Sequence, residues 1–183
     1  MSRGRGALTN GPGAHAFLAR VGGALRLDAA AYEDVEHDRG ALPQALIVVV
    51  LSSMATGIGS VRPEAAALFV PGTVFALAGW VAWSSLIYLI GTRLVPQAQT
   101  EADVGQLMRT TGFASAPGLF GLTGLVPGVG WILMMAVSAW MAAAMLVAVR
   151  QALDFTSVWR ALGVVVIGWL AYLAILLLAR VLL

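Results

Sequence analysis

Beyond residue 44 the charged side chains of this chain stand so far apart that they leave long apolar runs, and those runs limit the fold more than any other feature. Residues 44–61 carry no charge, nor do residues 65–92. Nothing charged lies between Arg109 and Arg150, and residues 161–183 hold only Arg180. About 20 apolar residues are what an α-helix needs to cross the hydrocarbon of a bilayer. Composition agrees. Of 183 residues, 60% are hydrophobic and 11% charged, where a soluble domain carries about a quarter charged. In lipid every backbone N–H and C=O must find a partner inside the protein, which leaves helices as the spanning element for runs of this length. We therefore expect an all-α integral membrane bundle of five transmembrane helices, preceded by a short amphipathic N-terminal region.

Three parts follow. Residues 1–13 are rich in glycine and form a flexible N-terminal tail. Residues 14–41 hold two short helices. In the first, Phe17, Leu18, Val21 and Leu25 share one face and Arg20 and Arg26 lie off it. That helix either rests on the bilayer surface or packs against the spans. In the second, Asp28 is the N-cap of AAAYEDVEHD and Gly40 stops it, with Pro43 just beyond. Residues 42–183 are the membrane domain, with spans at 44–61, 65–92, 110–126, 131–149 and 161–183. The second is long enough to tilt or to kink near Pro71 and Gly72. Thr100 can cap a short helix in the polar 93–109 loop. The positive start of the chain has no apolar core of signal-peptide length behind it, so no cleaved signal is expected.

Arginine placement sets the orientation, because basic loops stay in the cytoplasm. With five spans and a cytoplasmic N-terminus, nine arginines lie inside, and Arg62 and Arg180 lie outside. If the third segment instead dips and returns, eight lie inside and three outside, so the five-span arrangement is preferred narrowly. The expected location is a bacterial inner membrane, N-terminus cytoplasmic and C-terminus outside. All eleven basic residues are arginine, a bias that fits a GC-rich bacterial genome.

The third segment is irregular. RTTGFASAPGLFGLTGLVPGVGW, residues 109–131, has six glycines and two prolines. Pro117 removes a helix donor, and Pro127 ends the run. Gly112, Pro117, Gly118, Gly121 and Gly124 are read as a helix-packing face, since small residues let a neighbouring helix come close. The sharper alternative is a substrate path. No acidic, basic or histidine residue lies inside a span apart from Arg180 near an end, whereas pumps and proton-coupled transporters carry ionisable groups there.

Two stretches carry a family resemblance. EADVGQLMRTTGFASAPGL (residues 101–119) places an arginine at the membrane edge before T-G-F-A-x-A-P. LDAAAYEDVEHDRGALPQALIVVVLSS (residues 27–53) places a tyrosine and acids about ten positions before the first span. Together they resemble the bacterial branch of the YIP (Ypt-interacting protein) family. The resemblance implies a five-span bundle with a cytosolic N-terminus. Eukaryotic relatives associate with prenylated Rab-type GTPases in vesicle trafficking; they also carry a longer N-terminal cytosolic region with short motifs not found in this sequence, so the resemblance does not extend GTPase binding to this chain.

Candidate chemistry is sparse. Glu33, Glu36 and His37 share a helix face, but a metal centre in a helical bundle draws ligands from several helices. Neither a metal nor any other cofactor is expected. Cysteine is absent, no histidine reaches membrane depth, and H-E-x-x-H and G-x-S-x-G are missing, so no enzyme is expected. Tyr32, Glu33, Asp34, Glu36, Asp38 and Arg109 fall on the same side of the membrane as cytosolic structural or interaction residues, with a carboxylate–guanidinium pair tying the acidic helix to Arg109. Expected partners are the lipid bilayer, another membrane or cytosolic protein, and a second copy through small-residue faces. No basic stripe exists for nucleic acid. The reading is a non-enzymatic membrane scaffold or adaptor in membrane organisation or trafficking-like processes. The alternative is a small transporter or channel component using the third span.

Overall fold

The computed structural model describes residues 13–60, 69–96 and 102–182, and within them every regular element is helical. The expected tail (but for Gly13), the 62–64 turn and Thr100 lie outside the described residues.

Helix α1 is Ala14–Leu25 and α2 is Ala29–His37. Between them Leu27 turns through φ 60°, and the Asp28 carboxylate accepts from the Ala30 N–H at 3.0 Å, capping α2. A 3-10 turn, Arg39–Ala41, leads into α3, Leu42–Ser60. Helix α4 is Phe69–Leu89 and runs on through a π turn, Ile90–Leu94. Pro71 and Gly72 fall in its first turn.

Helix α5 is Val104–Ala114, with Asp103 as its N-cap. Asp103 and Gln106 form a reciprocal capping box: the Gln106 N–H donates to Asp103 Oδ1 at 2.7 Å, and the Asp103 N–H donates to Gln106 Oε1 at 2.6 Å. A 3-10 segment, Ala116–Leu125, follows. Then come α6, Gly130–Ala152, and α7, Val158–Leu182.

Among the described residues four helices are long and apolar enough to cross a membrane: Arg39–Ser60, Val70–Leu94, Gly130–Ala152 and Val158–Ile175. Val70, Phe75, Trp131, Leu170 and Ile175 are exposed on them. Apolar surface this continuous is stable only in lipid, and the chain is an integral membrane protein. The third segment is not one of the four, being split into α5 and the 3-10 stretch.

Helix α5 occupies the centre at one end of the bundle. On one side Phe113 packs in a cluster with Val21 and Tyr32 from α1 and α2, Ala45 and Val48 from α3, and Ala144 and Ala148 from α6. On the other, Leu107 joins Trp83 and Ile87 of α4, Leu153, and Ala161 and Val164 of α7. Helix α1 is thus packed against the spans, not laid flat on the bilayer. The Phe17 and Phe113 rings lie 6.4 Å apart, and Trp140 Nε1 donates to the Leu25 carbonyl at 3.0 Å. Away from α5 packing thins: no described residue of α4 before Trp80, and none of α7 after Gly168, is buried.

Candidate functional site

Arg109 stands on α5 and reaches the end of α2. It is 6% exposed. Its Nε donates to the carbonyls of Val35 at 3.0 Å and Glu36 at 3.1 Å, and its Nη2 donates to the Glu36 carbonyl as well. Carbonyls in the last turn of a helix have no acceptor role inside it and form the negative end of its dipole. Arg109 is therefore the C-terminal cap of α2, supplied from α5. This corrects the expected carboxylate–guanidinium pair: the hydrogen-bond partner is backbone, and Asp34 and Asp38 are engaged by Arg20.

Asp34 and Asp38 belong to Arg20. Its Nε and Nη2 reach them at 2.7 Å each, and its Nη1 donates to Gln44 Oε1 at 3.0 Å. Arg20 so ties α1 to α2 and to the first turn of α3. Its hydrogen bond, helped by the Gly40 N–H and opposed by partial burial, holds the Asp38 carboxyl below the usual carboxylate range. Both acids are well exposed, and such pairs contribute about 0.2–1 kcal/mol each. Arg20→Met should therefore lower stability by only about 1 kcal/mol, read as a shift of a few degrees in thermal melting in detergent.

Glu36 faces inward, while Glu33 and His37, expected on the same helix face, stay exposed. Glu36 is 2% exposed. Its Oε1 accepts from Gln106 Nε2 at 3.2 Å, and its Oε2 has no hydrogen-bond partner among the described residues. Burial raises its carboxyl to about pH 7. Asp154 and Glu33 push the same way, and His37 and Arg109 oppose. A carboxyl raised from 4.5 to about 7 on folding contributes stability that is fully present below pH 4.5 and is lost as pH rises through 7. Glu36→Gln should flatten that slope and leave the protein roughly 1–3 kcal/mol more stable than the parent at pH 8. Melting curves from pH 4.5 to 8 measure it.

Tyr32 is fully buried, its hydroxyl 3.4 Å from the Ala24 carbonyl, and burial pushes that hydroxyl well above its ordinary value. Among the described residues no three ligating side chains gather as a metal site.

The glycines of the third segment lie along α3 in matched order. A Cβ added at Gly112 would sit 2.7 Å from the Ala45 Cβ, one at Gly118 would collide with Ser52 Oγ, one at Gly121 would sit 2.5 Å from the Thr56 Cα, and one at Gly124 would strike the Gly59 carbonyl. Both sets of numbers rise together, so the two segments run side by side in the same direction. Residues 45–59 of α3 span about 21 Å at 1.5 Å per residue. Pro117, fully buried, cannot donate back to residue 113, and there the α-helix tightens to 3-10. Ser52 Oγ donates to the Ser115 carbonyl at 2.6 Å across the seam. Gly128, at φ 79°, then turns the chain, and α6 returns past it: Met134 lies against Gly124, Met141 against Gly118, and the Phe120 and Trp140 rings stack at 5.5 Å.

Sequence reasoning missed Arg20 as the partner of the acids and missed a polar knot between α4 and α5. There Trp80 Nε1 donates to Thr111 Oγ1 at 3.2 Å, and the Ser84 and Thr111 hydroxyls are 2.9 Å apart, all buried. A signal existed for the knot: two hydroxyls and an indole within otherwise apolar runs.

Compared with known proteins, residues 24–179 match the family described as the Yip1 domain. No curated protein and no solved structure matches the chain.

Proposed function

The chain belongs to the Yip1 domain family, and on that premise we propose that it is a non-enzymatic scaffold or adaptor that spans a bacterial inner membrane five times. The N-terminus lies in the cytoplasm and the C-terminus outside. The course of residues 112–124 beside α3 supports the count, since a segment that follows a spanning helix along its length in the same direction crosses where that helix crosses. The arginine distribution supports the orientation.

The observation that carries the adaptor reading is the capping of α2 by Arg109. Together with Arg20 and the shared apolar cluster it welds α1 and α2 to the bundle as a fixed cytosolic platform. Leu18, Glu33, His37 and Arg39 face outward on it. A rigid platform suits the holding of another protein, because little ordering is left to be done on binding. A second copy would need a surface other than the glycine seam, which is closed by α3 within one chain. The same closure weighs against a transport path along the third segment, as does the lack of acidic, basic or histidine residues inside the spans, Arg180 near an end excepted.

Deleting α1 and α2 would remove part of the core, so the test uses their exposed positions. Crosslinking pull-down from native membranes should recover a partner with the parent chain and lose it with Leu18→Asp and Glu33→Arg combined, at unchanged expression. Equal recovery with both chains refutes the platform. Substrate flux in liposomes from the purified protein would favour the transporter.

A further inference from the structure

Packing thins on the side of the bundle away from α5, and a cavity of about 500 Å³ opens there. Helix α3 packs on α4, α4 on α7, α7 on α6, α6 on the 3-10 segment, and that segment on α3, which closes a ring. The cavity lies inside it. Its walls include Ser52, Gly79, Ala142 and Trp169, one from each of the four long helices and each near the middle of its helix. In a spanning bundle that is hydrocarbon depth. Phe75, 76% exposed, and Trp169, 53% exposed, stand in the wall and on the outer surface at once, so the cavity is open sideways to the bilayer.

The wall is mostly apolar and has no charged side chain. Its serine and threonine hydroxyls donate to carbonyls of the protein itself: Ser52 to Ser115 at 2.6 Å, Ser53 to Val50, Thr56 to Ser52 and Ser138 to Met134, each of the last three at 2.8 Å. The Tyr172 hydroxyl and the Trp83 indole N–H are also in the wall, the latter without a hydrogen-bond partner among the described residues. Water held in such a place needs two to four polar partners, and the serine and threonine hydroxyls have already used their protons. A size of a few hundred Å³ with an apolar lining is that of a small-molecule site. We propose that this cavity binds one acyl chain of a membrane phospholipid, taken in from the side between α4 and α7. The only solvent at that mouth is hydrocarbon, and the lining is mostly apolar and carries no charge to hold a polar head. The proposal rests on the reading that α3, α4, α6 and α7 cross the membrane.

Trp83 is the reporter. It lines the cavity and is 8% exposed, whereas Trp169, near the middle of α7, is 53% exposed and also meets the bilayer from outside. The full chain is reconstituted into phosphatidylcholine vesicles with or without bromine at mid-chain, which quenches indole on contact. The share of each tryptophan is read as the difference between the parent and Trp83→Phe or Trp169→Phe. Bromination should remove most of the Trp83 emission as well as that of Trp169. Ala76→Phe, which fills the cavity, should restore Trp83 and leave Trp169 quenched. Native mass spectrometry should show the parent retaining one more phospholipid than Ala76→Phe, a readout independent of the Trp83 substitution. Trp83 quenched by aqueous acrylamide and not by bromine would make the cavity a water pocket. Trp83 quenched by neither, or equal lipid retention by both chains, would mean that protein fills it. Each of these overturns the proposal. Loss of quenching at Trp169 as well would instead remove the spanning reading beneath it.

Discussion

Gly121→Leu is expected to abolish the folded protein, while Gly57→Leu leaves it intact. A Cβ at Gly121 would stand 2.5 Å from the Thr56 Cα and 2.6 Å from its nitrogen. Both are main-chain atoms of α3, so no rotamer change relieves the clash, and two segments in contact along their length must separate. Overpacking against movable side chains costs about 1–3 kcal/mol. Against backbone the cost should pass the top of that range and approach the whole stability of a domain this size, about 5–15 kcal/mol. At Gly57 an added Cβ meets nothing within 4 Å, and surface substitutions stay within about 0.5 kcal/mol. Fluorescence-detected size exclusion of the two variants in detergent compares them. A monodisperse peak for Gly121→Leu at the parental yield would mean that the seam is not a tight contact.

The second large effect is at Arg109. Arg109→Met leaves the Val35 and Glu36 carbonyls without their donor, and a buried acceptor left unsatisfied costs about 1–3 kcal/mol. It also takes a positive charge from beside Glu36, whose carboxyl then rises further. A total loss of about 3–5 kcal/mol is expected, the range seen when one partner of a buried charged interaction is removed. Arg109→Lys should recover only part of it, because a single ammonium cannot reproduce the guanidinium fork across two carbonyls. Reversing Asp34 or Asp38 should not rescue Arg109→Glu, since neither is its partner. Thermal melting reads the stability, and limited proteolysis should show α2 cut first. Rescue by a reversed acid would restore the ion pair in place of the cap.

The difference between the cap and the ion pair shows what the sequence made legible. Arg109 could be singled out because an arginine at a membrane edge is costly and so has a task. Its partner could not, since carbonyls carry no identity in a sequence and helix ends are open only in three dimensions. Asp34 and Asp38 were visible as acids, but the pairing with Arg20 depends on how α1 folds back on α2 through Leu27, a left-handed residue that nothing in the residue type announces. The glycine spacing foretold close packing and left the neighbour open; matching Gly112 to Ala45 and Gly124 to Gly59 requires the register of two segments some 65 residues apart. Four helices were legible from run length alone. The third segment escaped that rule because Pro117 divides it into unlike pieces, each too short to qualify.

Whether that segment traverses the bilayer beside α3 decides the whole account, and the chain suits a direct measurement because it contains no cysteine. Val129, 46% exposed at the turn before α6, is replaced by cysteine in one variant and the exposed Glu33 in another. Intact cells and inverted membrane vesicles are then treated with a membrane-impermeant maleimide. The account predicts that Val129→Cys is labelled in intact cells and Glu33→Cys only in inverted vesicles. Labelling of both from the same side would contradict it.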